Sequence, residues 1–339
     1  MTLPSHHRPG GGFRNPWPDA AQHGFAGVLR WMIRDRLARR GAAIQRAAPA
    51  PRTPVAPSFA VPRAASNLVT VTWVGHSSCL VQIGGRNVLT DPVWSERASP
   101  FALIGPRRKI EPGVDFEALP PIDLVLISHN HYDHLDDRTV RRLATAHPTA
   151  HWFAPLGVAD FLETRGVAEM TELDWWQETR THDAHVACGP AQHFSGRGLR
   201  DRDATLWCSW VVEVGGRRMF FGGDTGYHPE FHEIGQRYGP FDVSILPIGA
   251  YEPRWFMRPV HMDPEEAVAA FEALGSSHAE AARRCVMVPI HWGTFKLTTE
   301  PLDEPPKRLR VAWERARLPG PHLWILTAGE TRVRPALIP

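Results

Sequence analysis

Within the six residues His129-Asn130-His131-Tyr132-Asp133-His134 stand three imidazoles and a carboxylate, straight after the apolar run Leu124-Val125-Leu126-Ile127. An ordinary core has little use for such a group, because every buried ring needs hydrogen-bond partners. A metal ion supplies that use, since imidazole and carboxylate are ligands that zinc takes readily. A single tetrahedral ion rarely needs four ligands from one short motif and more from elsewhere, so the density points to two ions side by side. Further candidates follow along the chain. His193 comes after the run Ala184 to Ala191, Asp224 after Phe220-Phe221-Gly222-Gly223, and His291 after Val286-Met287-Val288-Pro289-Ile290. In each case an apolar run ends and a ligand type follows. Strand ends on one edge of a sheet would gather these groups on a rigid frame.

The ordered set His-x-His-x-Asp-His, His, Asp, His resembles the metallo-β-lactamase fold. Longer phrases are similar to the N-acylphosphatidylethanolamine-hydrolysing phospholipase D family: Thr72-Trp73-Val74-Gly75-His76-Ser77, Leu89-Thr90-Asp91-Pro92-Val93, Gly249-Ala250-Tyr251-Glu252-Pro253-Arg254-Trp255-Phe256-Met257, His261-Met262-Asp263-Pro264 and Ile290-His291-Trp292-Gly293. The likeness runs from about Asn67 to the C-terminus, with a faint echo at Asn15-Pro16-Trp17-Pro18.

That resemblance implies an α/β fold, an αββα sandwich of two packed sheets flanked by helices. It assigns His129, His131 and His193 to one zinc ion and Asp133, His134 and His291 to the other, with Asp224 as the bridge. Iron or manganese can replace one of the two in such a site. Ions about 3.5–4 Å apart can hold a bridging hydroxide and clamp an in-line displacement at phosphorus. Asp133 and His261 are the candidate catalytic groups, and Tyr132, Arg254, Trp255 and Phe256 the candidate substrate contacts. Asp91 would either orient a ligand histidine through its free N–H or simply form a turn. The family carries glutamine before the histidine that corresponds to His261, where this chain has Val260.

A chain of 339 residues, 43% of them hydrophobic, has material for a sizeable core. It has no apolar run long enough for a membrane span. Four widely spaced cysteines, Cys79, Cys188, Cys208 and Cys285, read as reduced buried thiols of a cytoplasmic protein. Charge is unevenly spread. Residues 1–65 hold ten arginines against two aspartates, a formal +8, which leaves −6 for the rest of a chain whose total is +2.

Residues 1–65 therefore read as a basic extension and 66–339 as the catalytic domain. Residues 1–18 are rich in Gly, Pro and His and are expected to be flexible. Phe25, Leu29, Met32, Ile33 and Leu37 recur at helical spacing, predicting an amphipathic helix over about 19–46. Residues 47–65 are a proline-rich linker. The helix would either dock its apolar face on the body or lie peripherally on a membrane, its arginines against anionic head groups. After Asn67 the pattern is one of short strands. These include Asp123–Ser128 before the metal motif and a last one at Leu323–Thr327, with helices near 137–146, 229–237, 264–273 and 306–316.

The expected function is a zinc phosphodiesterase that cleaves the phosphate–head-group bond of a phospholipid. The alternative is a metal-dependent hydrolase of a lactone, an ester or a soluble phosphodiester, because the fold alone does not choose. The partner is then a phospholipid or another small phosphodiester, and a homodimer is compatible with either reading. A nucleic-acid partner is not expected, since the basic arm lacks lysine and interleaved aromatics.

Overall fold

A computed structural model describes residues 3–18, 53–101, 103–181, 183–198, 200–275 and 285–334. Two mixed sheets form the frame. The strands are β1 (Val69–Gly75), β2 (Ser78–Ile83), β3 (Arg86–Thr90), β4 (Leu124–Leu126), β5 (His151–Pro155), β6 (Met170–Leu173), β7 (Glu178–Thr181), β8 (Ala184–Gly189), β9 (Ser209–Val214), β10 (Arg217–Phe221), β11 (Val243–Pro247), β12 (Val286–Ile290) and β13 (Thr331–Arg334). The first sheet runs β13-β1-β2-β3-β4-β5-β6 and the second β12-β11-β10-β9-β8-β7. The helices are α1 (Asp137–Ala146), α2 (Ala159–Glu163), α3 (Glu230–Tyr238), α4 (Arg254–Met257), α5 (Pro264–Gly275) and α6 (Glu304–Arg315).

Side-chain alternation with period two builds four layers. In β4, Leu124 and Leu126 enter the core between the sheets, while Val125 faces outward. In β10, Met219 and Phe221 point into that core and Phe220 away from it. The outward face of the first sheet is covered by Val140 and Leu143 of α1 and Leu162 of α2. That of the second is covered by Phe231 of α3, Phe271 of α5 and Trp313 of α6. Both faces of each sheet are buried over most of its strands, and β1, β2, β11 and β12 are buried at every residue, including Thr70, Thr72, Gln82 and Ser244. The four cysteines are all buried and free, and burial raises the pKa of Cys285 to about 12.

Three expectations are corrected. Strands β6 and β7 were not foreseen, because they are polar, partly exposed and lie at sheet edges. The segment Leu323–Thr327 is not a strand. It meets β12 through a single bridge between Met287 and Leu323. The chain then bends at Gly329 (φ 83°), where a Cβ would lie 1.9 Å from Val55 O, and pairs with β1 as β13. The N-terminal residues expected to be flexible are packed where they are described: Phe13 joins the inter-sheet core and Trp17 Nε1 donates to Glu230 at 2.7 Å. The linker end is also fixed on the body, with Arg63 held by Asp123. The helix expected over 19–46 lies outside the described residues.

Candidate metal centre

Each candidate ligand, and the supporting residues His76 and Asp91, sits just beyond the C-terminal end of a strand. His76 follows β1, Asp91 follows β3, and His129 to His134 follow β4. His193 follows β8, Asp224 follows β10 and His291 follows β12. Since β1, β3 and β4 run one way in their sheet and β8, β10 and β12 one way in theirs, these ends collect on one edge of the sandwich. The turns are tight enough to force unusual backbone. His76 (φ 55°), Asp91 (φ 31°), Ala250 (φ 60°) and His291 (φ 62°) all occupy the left-handed region without being glycine, and such strain clusters at functional sites. Gly223, before Asp224, has no such freedom to change, because a Cβ there would come within 2.5 Å of Ser128 Cβ.

Three ring nitrogens converge first. His129 Nε2 lies 2.8 Å from His131 Nδ1, and His193 Nε2 lies 3.3 Å from the same atom. Their far sides fix the protons. His193 Nδ1 donates to Val260 O at 2.9 Å. His129 Nδ1 donates to Ser128 Oγ at 2.9 Å, because that hydroxyl spends its own proton on Asp91 Oδ2 at 2.6 Å. The near nitrogens of these two rings are therefore unprotonated lone pairs, and both point at Nδ1 of the half-buried His131 within hydrogen-bond distance. Burial and, next, the neighbouring His193 push the pKa of His131 down to about 3; burial first pushes that of His193 to about 4. All three rings stay neutral, the form that binds a metal.

A second group adjoins the first. Asp224 Oδ2 lies 3.1 Å from His134 Nε2, 3.0 Å from His291 Nε2 and 3.9 Å from His193 Nε2. Asp133 Oδ2 lies 3.5 Å from both His134 Nε2 and His291 Nε2, and His76 Nε2 donates to it at 2.9 Å. Here the electrostatics reverse. Burial opposes charge on His134 and His291, but Asp224 and its fellow carboxylates raise both pKa values, that of His291 to about 9. The buried atoms His134 Nε2, Asp224 Oδ1 and His291 Nε2 nevertheless lack hydrogen-bond partners. Orphaned buried atoms of these types, set among neighbouring groups of ligand-forming residues, fit bound metal.

The sequence-selected residues divide. The seven candidate ligands and His261 are brought together. His261 Nδ1 lies 3.9 Å from Asp224 Oδ2, and its ring stacks on His291 with centroids 5.1 Å apart. Asp91 orients a histidine, as one of its two expected uses, accepting from His134 Nδ1 at 2.6 Å. Tyr132 borders a cavity of about 390 Å³ that none of the candidate ligands lines, with its hydroxyl donating to Arg197 O at 2.9 Å. Arg254, expected to touch substrate, is otherwise committed: its guanidinium holds His261 O at 2.8 Å and Glu266 at 2.6 Å. Phe256 packs against Ala250, Met257 and Val260, and Trp255 stands edge-on to it at 5.5 Å. Sequence reading passed over Arg197, whose guanidinium covers Tyr132 at 4.0 Å, and Phe194, whose ring meets His131 at 4.6 Å. Only the closeness of both to His193 in the chain marked them.

The profile of the Beta-lactamase superfamily domain matches residues 86–292. An uncharacterized protein of Mycobacterium tuberculosis is 44% identical over 288 residues, covering 84% of this chain and 74% of its own. N-acyl-phosphatidylethanolamine-hydrolyzing phospholipase D 1 of Caenorhabditis elegans is 40% identical over 250 residues, covering 70% of this chain and 68% of its own. Among solved structures, the metallo hydrolase Igni18 of Ignicoccus hospitalis superposes with a TM-score of 0.57 at 23% identity, covering 79% of this chain and 98% of that one. Frame, candidate metal-binding clusters and relatives agree: the chain is a metal-dependent hydrolase of the beta-lactamase superfamily.

Proposed function

We propose that this protein is a dinuclear zinc phosphodiesterase that hydrolyses a phospholipid at its phosphate–head-group bond. The observation that carries the reading is the position of Asp224, whose Oδ2 faces His193 on one side and His134 and His291 on the other. A carboxylate shared in this way suits a bridge between two ions. In that arrangement His129, His131 and His193 hold one ion, Asp133, His134 and His291 the other. When bound, the pair would make water a nucleophile at neutral pH and offset the negative charge that builds up on the phosphate.

The chain's own residues then have separate tasks. Asp91, Val260 O and Ser128 Oγ fix the far nitrogens of His134, His193 and His129, so the near nitrogens stay aimed inward. His76 fixes Asp133 in the same way. His261 is held neutral by burial, which pushes its pKa well down, and presents Nδ1 to the centre without a partner. A neutral imidazole there can hydrogen-bond a phosphoryl oxygen or the departing alkoxide oxygen. The overall reaction adds water across the P–O bond to the head group. An N-acylphosphatidylethanolamine, the substrate named for the nematode relative, would give a phosphatidate and an N-acylethanolamine.

The test is a comparison of kcat/KM on metal-loaded protein for N-acylphosphatidylethanolamine, a short-chain soluble phosphodiester and a lactone. The proposal expects phosphatidate as product and a gain from long acyl chains. Fast lactone turnover with no phosphodiester cleavage would overturn it, and would favour the alternative hydrolase.

A further inference from the structure

Between β3 and β4 the chain throws out a hairpin-like loop closed by the bridge between Arg97 and Arg107. Its root is anchored. Ala98 N donates to Pro106 O at 3.1 Å and Arg108 N to Glu96 O at 2.7 Å, while Ala98 packs with Val93 and Phe295 in a small core. Its tip is the opposite: Phe101 is 63% exposed, Leu103 86% and Ile104 69%. The other exposed large apolar side chains among the described residues, such as Leu3, Val61 and Val311, are scattered along the chain. A lone exposed leucine says little, but three together on one anchored tip mark a contact surface.

The surroundings say which contact. Cations collar the tip: Arg97, which donates to Gly105 O, Arg107, and Lys109 just beyond. Arg138, Arg165 and Arg197 border the cavity that Phe101 shares with Tyr132. Of its lining residues, Tyr132 stands within the His129–His134 motif, between the candidate ligands His131 and Asp133 in the chain. Glu96, Asp136 and Asp137 share the cavity lining, with Glu96 paired to Arg107 and Asp137 to Arg165, so the collar is mixed in sign with cations in excess. An apolar tip beside such a collar matches a lipid surface, with side chains in the acyl boundary and the cations not so paired at anionic head groups. We infer that the loop 97–107 is a membrane-docking element: Phe101, Leu103 and Ile104 insert into a phospholipid surface and set the Tyr132 cavity against it. The proposed phospholipid reaction would profit from such docking, yet docking is read by binding alone, without turnover.

The test uses the full chain. The four native cysteines are buried, so Leu103→Cys can be labelled alone with an environment-sensitive fluorophore, and Val311→Cys serves as an exposed control on α6. Phosphatidylcholine vesicles containing phosphatidylglycerol should blue-shift the label at position 103 and leave that at 311 unchanged. The double variant Leu103→Ser/Ile104→Ser should partition onto those vesicles about a hundredfold more weakly, each apolar side chain being worth about tenfold. Its metal content and soluble-diester turnover should match the parent. No shift at position 103, or unchanged partitioning of the double variant, overturns the inference. So does a shift that follows protein concentration without vesicles, which would make the loop a contact with a second copy. Should the loop insert while N-acylphosphatidylethanolamine goes uncleaved, the proposed reaction fails and the docking surface stands.

Discussion

Asp91 and His134 form a fully buried pair in which His134 Nδ1 donates to Asp91 Oδ2 at 2.6 Å, and the same carboxylate also accepts from Ser128 N at 2.7 Å and Ser128 Oγ at 2.6 Å. One residue thus locks the rotation of His134 and, through Ser128, the tautomer of His129. Asp91→Asn keeps the shape but turns an amide N–H₂ toward one of these donors. It should weaken metal binding by about 10–100-fold, the usual effect of losing such a supporting partner. A competition titration against a chelator measures this; unchanged affinity would show that the pair is only structural.

Asp224 is the residue on which the two-ion reading depends. Asp224→Asn should lower the metal content of purified protein at both positions, because its Oδ2 faces ligands of each. By contrast, His131→Ala should release mainly the ion of its own group. Elemental analysis of the two variants beside the parent decides. Loss of a single ion in Asp224→Asn would remove the bridge from the account.

Much of this site was legible because its residues announce themselves chemically. An imidazole or carboxylate after an apolar run is visible in a sequence, and the run's length tells where the strand ends. What was not legible depends on groups with no chemical signature. Val260 holds His193 through a backbone carbonyl, so the side chain that replaces the family's glutamine is not the part that acts. Arg254 looked like a substrate contact, but the carboxylates of Asp263 and Glu266 claim it. Strands β6 and β7 were hidden because edge strands need no apolar alternation.

The raised pKa of His291 gives the metal-free protein a pH signature. Its folded value is about 9, because burial is outweighed by Asp224 and Asp133, against about 6.5 unfolded. The stability it contributes is therefore fully present below about pH 6.5 and is lost as pH rises through about 9. Chelator-treated protein should show a Tm that declines across this window, whereas metal-loaded protein should not. Metal must also displace that proton, so apparent metal affinity should climb with pH over the same range. A flat Tm for the metal-free protein would contradict both expectations.

The N-terminal segment braces one residue of the centre from behind. Asn15 Nδ2 donates to His193 O at 2.8 Å, and its Oδ1 accepts from Trp207 Nε1 at 3.2 Å. Nearby, His6 and His7 both reach the carboxylate of Asp174. Asn15→Ala should cost about 1 kcal/mol of stability, a typical net value for such a bond, and should loosen the ion held by His129, His131 and His193. Deleting residues 1–18 should lower Tm further. An unchanged Tm and metal affinity would return the segment to the role of a passive tail.

His261 is the group in which binding of metal and turnover should separate. Its Nδ1 lies 3.9 Å from Asp224 Oδ2, too far for a hydrogen bond, and its backbone N–H donates to Met257 O at 2.9 Å. Its carbonyl is clamped by Arg254. The backbone that carries the ring is therefore held by α4, and the ring itself rests on His291. His261→Ala should retain metal while kcat falls by about 10²–10⁴-fold, the range for a positioned proton-transfer group. Arg254→Met should act through the same ring with a smaller loss, and the pH profile should keep its shape, since no titrating group is removed from the centre. Metal analysis beside kcat and KM for both variants tests this. If His261→Ala loses metal along with activity, the residue belongs to the ligand set and not to the reaction; if it loses neither, it is packing against His291 alone.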